Sequence, residues 1–171
     1  MNDDFIYEKI TGADLDWYAV DINGYLARMT TGGRGKVPYC YKISSWNYMF
    51  DYLENLPIIS ESIVYKQKQR LNFDDYIKMG NRGLYCFQAD TCGYRPTDYV
   101  KYVTPSNPLK IESLDETIRN LLFSLSLPVL FANIMQLSSD FIIAPYCTCL
   151  PGQVCTCPTA KQNYLNIWSN L

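Results

Sequence analysis

The amino-acid sequence predicts a single α+β domain with an antiparallel sheet, an N-terminal β-hairpin and about three helices. The chain has 171 residues, which suits one domain with its own core. Apolar residues make up 48% of it, so the chain can bury enough surface to fold. Strand-like and helix-like stretches do not alternate regularly, and this favours α+β over a doubly wound parallel sheet. We expect residues 1–146 to form the domain and residues 147–171 to form a cysteine-rich extension packed on it.

The first predicted element is a β-hairpin. Residues 17–20 and 25–29 are rich in aromatic and branched side chains, which strands prefer. Between them, Asn23-Gly24 is the strongest short hairpin signal, because both central residues of such a turn need positive φ. The sequence therefore predicts a hairpin with Asn23 and Gly24 at its tip.

Two helices are predicted next. The first can begin at Ser44 or Ser45, has apolar residues three and four positions apart, and ends before Pro57. The second follows Asn72, has two aspartates in its first turn, and is predicted to close at Gly80.

The second half of the chain predicts a strand pair at 84–88 and 99–103 and then a third helix. Ser113 and Glu116 have the spacing of a capping box, which satisfies backbone donors where a helix starts. One apolar stripe follows the box: Leu114, Ile118, Leu121, Leu122 and Leu125. A late strand is predicted at 141–143.

The composition excludes several functions. The chain contains no histidine, which removes Ser-His-Asp and Cys-His catalysis and all His-ligated metal sites. The net charge is −2 and no basic stripe is present, so nucleic acid is not an expected partner. The start of the chain, 1–5, lacks the pattern of a signal peptide, and the most hydrophobic window, 121–143, is broken by Pro128. We therefore expect a cytoplasmic protein that does not bind membranes.

The cysteines suggest a possible metal site. Cys147 and Cys149 flank a predicted turn on one side, and Cys155 and Cys157 flank it on the other. Four thiolates at about 2.3 Å from one ion form a closed structural zinc site. Free thiols and a redox role remain alternatives, since a reducing compartment is expected. The other three cysteines are expected to be packing thiols.

Two further groups of residues are candidate sites. The glycine-containing loop at 30–36 is not a P-loop, because Thr30 and Val37 stand where glycine and a hydroxyl residue are needed. We expect a structural loop there, with an anion cradle as the alternative. Four acidic residues are candidates for contacting a basic partner, since acids speed such association: Asp14, Asp16, Asp51 and Glu54.

Two stretches resemble a known family. Residues 17–24 and 32–38 match W-[FY]-A-x-D-x-x-G and G-G-x-G-x-[VI]-P, the opening of small cytosolic bacterial proteins. Many of those proteins are encoded near polymorphic toxins and are thought to be immunity proteins. Residues 82–87, followed by 102–105 and 108–111, resemble the second half of the same pattern, in which an R-G-L-[FY] strand precedes a P-x-x-P-[LI]-[KR] segment. The resemblance implies a role in binding another protein and supplies no active-site residues.

The predicted function is protein binding without catalysis. We expect a cytosolic immunity-type protein that binds and neutralises a cognate bacterial toxin. Fifteen tyrosines agree with this, because tyrosine is favoured at interfaces, although strands also favour it. The alternative is a docking or thiol-redox protein of unrelated role, stabilised by zinc at the four C-terminal cysteines.

Overall fold

The computed structural model describes residues 14–33, 35, 43–65, 72–89, 98–123 and 125–138. In this part of the chain, three α-helices pack with a six-stranded mixed sheet, which confirms the predicted α+β class and the N-terminal hairpin. The predicted strand at 141–143 and the extension at 147–171 lie outside the described residues. The elements in chain order are β1 (Asp16–Val20), β2 (Leu26–Thr30), α1 (Ile43–Glu54), β3 (Ser62–Val64), α2 (Asp74–Asn81), β4 (Tyr85–Ala89), β5 (Tyr99–Pro105), a 3-10 turn (Ile111–Ser113), α3 (Glu116–Phe123) and β6 (Gln136–Leu137).

The sheet differs from the expected antiparallel arrangement in one pairing. Its order is β1-β2-β4-β5-β3, and β6 also pairs with β5. The β2–β4 pair is parallel, whereas the other pairs are antiparallel. Parallel neighbours need a crossover connection, and the chain between these two strands supplies one that contains α1, β3 and α2.

The hairpin turn is one residue longer than predicted. The amide of Asp21 donates to the carbonyl of Tyr25 (2.9 Å), so three residues rather than two form the loop. Gly24 has a φ of 81°, as the last residue of a three-residue hairpin loop requires. The Asp21 carboxylate stabilises this three-residue loop, because its Oδ1 accepts hydrogen bonds from the amides of Asn23 and Tyr25, both at 2.9 Å.

The helix ends also differ from the sequence prediction. The second helix runs past Gly80, which is buried, and the positive φ lies at Gly83 (90°) instead. The capping box does not form, because the Ser113 hydroxyl donates to the carbonyl of Lys110 (2.7 Å) within the 3-10 turn. The third helix begins at Glu116, and its predicted apolar stripe is buried apart from the partly buried Leu121.

Both faces of the sheet are covered. On the helix face, Arg28 lies against Phe50 of α1 and Tyr76 of α2. On the opposite face, Phe131 packs on Tyr85 and Phe87, with ring centroids 5.9 and 5.5 Å apart. The segment that carries Phe131 follows α3 and leads into β6. All residues of β2 and β4 are buried, as expected for strands covered on both faces.

Candidate functional site

A pocket of about 440 Å³ opens where the ends of α1 and α2 meet the segment that follows β5. Its volume lies within the range of ligand sites in proteins. Apolar side chains form most of its wall. The lining residues are Leu56, Pro57, Ile59, Arg82, Pro108, Leu109, Lys110, Ser113 and Leu114.

One wall of the pocket is fixed by backbone hydrogen bonds. The amides of Ile59 and Ser60 both donate to the carbonyl of Asn81, at 2.9 and 3.0 Å. The Asn107 side chain donates to the carbonyl of Ile59 (3.1 Å), and the Asn107 amide donates to the hydroxyl of Ser60 (2.9 Å). These bonds tie the connection between α1 and β3 to the end of α2 and to the turn after β5.

The same wall exposes apolar side chains. Ile58 is 71% exposed and Ile59 is 39% exposed, next to Pro57 at the pocket edge. We refer to these residues as the 57–59 strip. Single exposed apolar residues are common, but a fixed run of them beside an apolar pocket marks an interaction surface.

The facing wall depends on a close backbone approach. The amide of Leu109 donates to the carbonyl of Gly83 (2.8 Å), and a Cβ at Gly83 would lie 2.8 Å from that same amide nitrogen. On its other side, the segment bonds to the hairpin through Leu26 N to Leu109 O (3.2 Å) and Ile111 N to Gly24 O (2.8 Å). A glycine at position 83 therefore lets residues 108–111 lie between α2 and the hairpin.

Two cations line the pocket, and neither forms an ion pair with a residue that the structure describes. Arg82 donates through Nη1 to the carbonyl of Lys78 (2.8 Å), and its Nε is buried without a hydrogen-bond partner in the described structure. The exposed Lys110 places its Nζ 5.2 Å from the centroid of the Tyr25 ring. No described carboxylate lies within ion-pair distance of either cation.

A second polar centre lies buried on the helix face of the sheet. We refer to Asp16, Arg28, Thr30, Tyr76 and Gln88 as the Arg28 cluster. Asp16 accepts from Nη2 of Arg28 and from the hydroxyl of Thr30, both at 2.6 Å. The hydroxyl of Tyr76 donates to Oε1 of Gln88 (2.6 Å), and the Tyr76 ring lies 5.5 Å from the guanidinium. Arg28 is therefore paired with a carboxylate of the same domain, that of Asp16.

The ionisation states around the cluster are fixed by burial. Burial lowers the pKa of Arg28, but the hydrogen bond and charge of Asp16 outweigh this effect and raise it overall. Burial raises the pKa of Tyr76 to about 12 and also raises that of Tyr18. The thiol of Cys86 is buried and its pKa rises to about 12, so it is a packing thiol, as predicted, and not a nucleophile.

The structure gives two of the four candidate acids internal partners. Asp14 is exposed and accepts from the amide of Gly32 (2.9 Å), whereas Asp16 belongs to the Arg28 cluster. Asp51 is exposed and Glu54 is partly buried, and both lie on α1, the helix that leads into the pocket. The described coordinates do not test whether any of the four contacts a partner.

The predicted glycine loop is held by bonds within the chain. The Gly32 amide is taken by Asp14, and the amide of Gly35 donates to the carbonyl of Thr31 (2.7 Å). These contacts agree with a structural loop, and they leave the two bonded amides less available to an outside anion.

The proposed zinc ligands Cys147, Cys149, Cys155 and Cys157 lie outside the described residues. Within those residues, no group of three or more acidic, cysteine or histidine side chains could hold a metal ion. In the same part of the chain, no helix has the length and hydrophobicity to cross a bilayer.

The sequence prediction missed the pocket residues Ile59, Arg82 and Lys110 and the exposed Ile58 beside them. An available signal was the apolar pair Ile58-Ile59 directly after Pro57, in a connection where polar residues are usual. The other half of the pocket had no local signal, because its residues come together only through the pairing of distant segments.

Comparisons with known proteins add no relative. No protein-family model matches the chain, and searches of the curated proteins and of the solved structures also found no match. The geometry of the pocket, together with the motif resemblance, is therefore the basis for assigning a function.

Proposed function

We propose that this protein acts by binding another protein at the pocket and the 57–59 strip. The observation that carries the proposal is the 71% exposure of Ile58 directly before Ile59 and Ser60, whose amides both bond to the carbonyl of Asn81. Apolar surface gains free energy when it leaves water, at roughly 25 cal/mol per Å². A surface that is already ordered also loses little conformational entropy when a partner covers it.

We further propose that the partner is a bacterial toxin, which the protein neutralises in the cytosol. The support is the resemblance to immunity-like proteins, and the position of its motifs in the fold fits it. Arg82 from one motif and Pro108, Leu109 and Lys110 from another line the same pocket. The two segments are distant in the sequence, so their meeting at the proposed binding surface is a consequence of the fold.

The same proposal excludes catalysis as the main activity. The chain has no histidine, and the described thiol of Cys86 is buried and held protonated. The Arg28 cluster holds acidic and basic groups together, but Asp16 and Arg28 form an ion pair with each other there. Neutralisation by binding needs only a complementary surface, and we propose the pocket and the 57–59 strip as that surface.

A paired capture and toxicity experiment tests this function. Tagged wild-type protein and the variant Ile58→Asp are used to capture partners from the organism that encodes the chain. Met135→Asp is the matched control, since Met135 is also exposed (46%) but lies in the segment between α3 and β6. We expect one stoichiometric partner with the wild type and with Met135→Asp, and its loss with Ile58→Asp.

The captured protein is then expressed alone and together with each variant. The proposal expects growth arrest when the partner is expressed alone and rescue by the wild type but not by Ile58→Asp. A partner that is harmless when expressed alone would contradict the toxin assignment. Equal capture by Ile58→Asp would contradict the binding surface, and the absence of any specific partner would contradict the binding function.

A further inference from the structure

The charges at the pocket define what kind of segment it accepts. We infer that the partner presents an apolar side chain to the pocket and a carboxylate beside it, which pairs with Arg82 and Lys110. This inference rests on the proposed function and adds the chemistry of the partner. Both charged residues in the pocket lining are cations, so the pocket itself is locally basic in a chain of net charge −2.

Arg82 is the stronger part of the argument. Its Nη1 is used by the carbonyl of Lys78, which orients the guanidinium. Its Nε is removed from solvent, yet no described acceptor bonds to it. Because this nitrogen is closed to solvent, a partner's carboxylate would pair with the part of Arg82 that lines the pocket. Arginine also pairs with carboxylates through two parallel bonds, which adds geometric specificity.

Lys110 places a second cation in the same lining. It follows Pro108 and Leu109, whose position is fixed by the bond from Leu109 N to Gly83 O (2.8 Å). Its aliphatic stem can cover apolar surface while the ammonium remains in water. The nearby Glu112 does not neutralise it, because the Glu112 carboxylate lies against Gly24 and forms no ion pair with Lys110.

The arrangement favours a peptide segment as the occupant. Apolar walls are contributed by Leu56, Ile59 and Leu114, and the cations stand among them. A peptide with an apolar residue next to Asp or Glu fits both features. The apolar side chain would be removed from water, and the carboxylate would pair with a cation. Such complementary charge mainly sets specificity and association rate, and the apolar contact contributes the burial.

Site-specific photo-crosslinking identifies the occupant directly. The photoreactive residue p-benzoylphenylalanine replaces Ile58, whose exposure leaves room for it, and the full-length protein is irradiated in its native host. The same residue at Met135 is the control position. We expect a crosslink from position 58 to a partner peptide that contains an apolar residue next to Asp or Glu, and no such product from position 135.

Charge reversal then tests the pairing. Lys110→Glu should weaken binding of the identified partner roughly tenfold, because an attraction at the site becomes a repulsion. Lys78→Gln is the control, since Lys78 is 64% exposed and does not line the pocket, and its binding should equal that of the wild type. Changing the crosslinked carboxylate of the partner to lysine should restore binding to Lys110→Glu.

The outcomes separate this inference from the proposed function. A crosslinked partner peptide without a carboxylate, or unchanged binding by Lys110→Glu, would overturn the inferred chemistry and leave protein binding in place. A crosslink from position 58 only to this chain's own residues would overturn both, since the 57–59 strip would then be covered internally. Absence of any crosslinked protein would remove the proposed function and the inference with it.

Discussion

Arg28 and Arg82 show two different settings for a guanidinium in one small fold. Arg28 is 6% exposed, lies 2.6 Å from its own carboxylate partner Asp16, and is covered by aromatic rings. Arg82 lies in the pocket lining, bonds to the carbonyl of Lys78, and forms no ion pair with a described residue. The first arginine is paired with a carboxylate inside the molecule, whereas no described carboxylate pairs with the second.

This difference separates stability from recognition. Changes in the Arg28 cluster remove interactions that the folded state needs, so they should lower the free energy of unfolding. Changes at the pocket remove surface that the folded state leaves in water, so they should alter binding while the protein stays folded. Changes of pH and single substitutions in the two regions can test that separation, beginning with the largest expected effect on stability.

Alkaline pH should have the largest effect on stability, because it acts on ionisable groups that are buried in the fold. Burial raises the pKa of Tyr18 and Tyr99, and raises those of Tyr76 and Cys86 to about 12. As the pH rises, the unfolded chain loses these protons before the folded protein does. The stability that these groups contribute is therefore fully present below the ordinary pKa values, 9.0 for cysteine and 10.0 for tyrosine, and declines as the pH rises towards 12. Between its pKa in the unfolded chain and its pKa in the folded protein, each such group lowers the free energy of unfolding by about 1.4 kcal/mol per pH unit.

Urea unfolding followed by circular dichroism at several pH values measures this decline. Lys101 acts in the opposite direction, because burial lowers its pKa and so stability rises as the pH approaches 10.5, but one group does not offset four. The variant Cys86→Ala should show a shallower decline above pH 9 than the wild type. Tyrosines that all ionise near pH 10 in a folded protein would contradict the prediction.

Removing the anion from the Arg28 cluster should destabilise the fold more than any change at the pocket. Asp16→Ala leaves the guanidinium of Arg28 buried without its ion pair, which we expect to cost about 3 kcal/mol of unfolding free energy. Asp14→Ala, two residues away, removes one exposed hydrogen bond to Gly32 and should cost about 1 kcal/mol or less. Chemical unfolding of both variants gives the difference.

The double variant Asp16→Ala/Arg28→Met checks the cause of that loss. It removes both charges and fills the site with an apolar side chain, so part of the stability lost in Asp16→Ala should return. Equal stability of Asp16→Ala and Asp14→Ala would show that the ion pair contributes nothing to folding.

Gly83→Ala should have an intermediate effect, because it strains the pocket wall formed by residues 108–111. Position 83 has a φ of 90°, and a Cβ there would approach Leu109 N at 2.8 Å. We expect a loss of about 1–3 kcal/mol in unfolding free energy. Lys78→Ala on the exposed side of α2 is the control and should change stability by less than about 0.5 kcal/mol. A stability of Gly83→Ala equal to the control would contradict the close approach.

The sequence predicted the parts of the fold that depend on local signals. Hydrophobic spacing located the first and third helices, and charged and capping residues located the second. The Asn23-Gly24 signal located the hairpin, although the turn is one residue longer. The parallel β2–β4 pair was missed, because it is set by the route of a connection of more than fifty residues, from Thr31 to Leu84, and not by any local pattern. The capping box at Ser113 was missed because that hydroxyl has an acceptor within its own turn.

The candidate site was less predictable for the same reason. Ile59, Arg82 and Leu109 meet only after the strands have paired, so no spacing in the sequence reveals the pocket. Asp16 was predicted as a surface contact, although the predicted hairpin already placed β1 beside β2. In the observed register Asp16 is opposite Thr30, and Arg28 is the diagonal neighbour two residues away on the same face. Following that register would have found the ion pair.

Ile58→Ser should have the smallest effect on stability and completes the comparison. Ile58 is 71% exposed, so its removal deletes little buried surface, and we expect the unfolding free energy to change by less than about 0.5 kcal/mol. Ile118→Ser in α3 is the matched control, because Ile118 is fully buried and its loss should cost about 3 kcal/mol or more. Thermal and urea unfolding measure both variants. A large loss for Ile58→Ser would mean that the strip contributes to the core, and the exposed surface would then no longer be free for a partner.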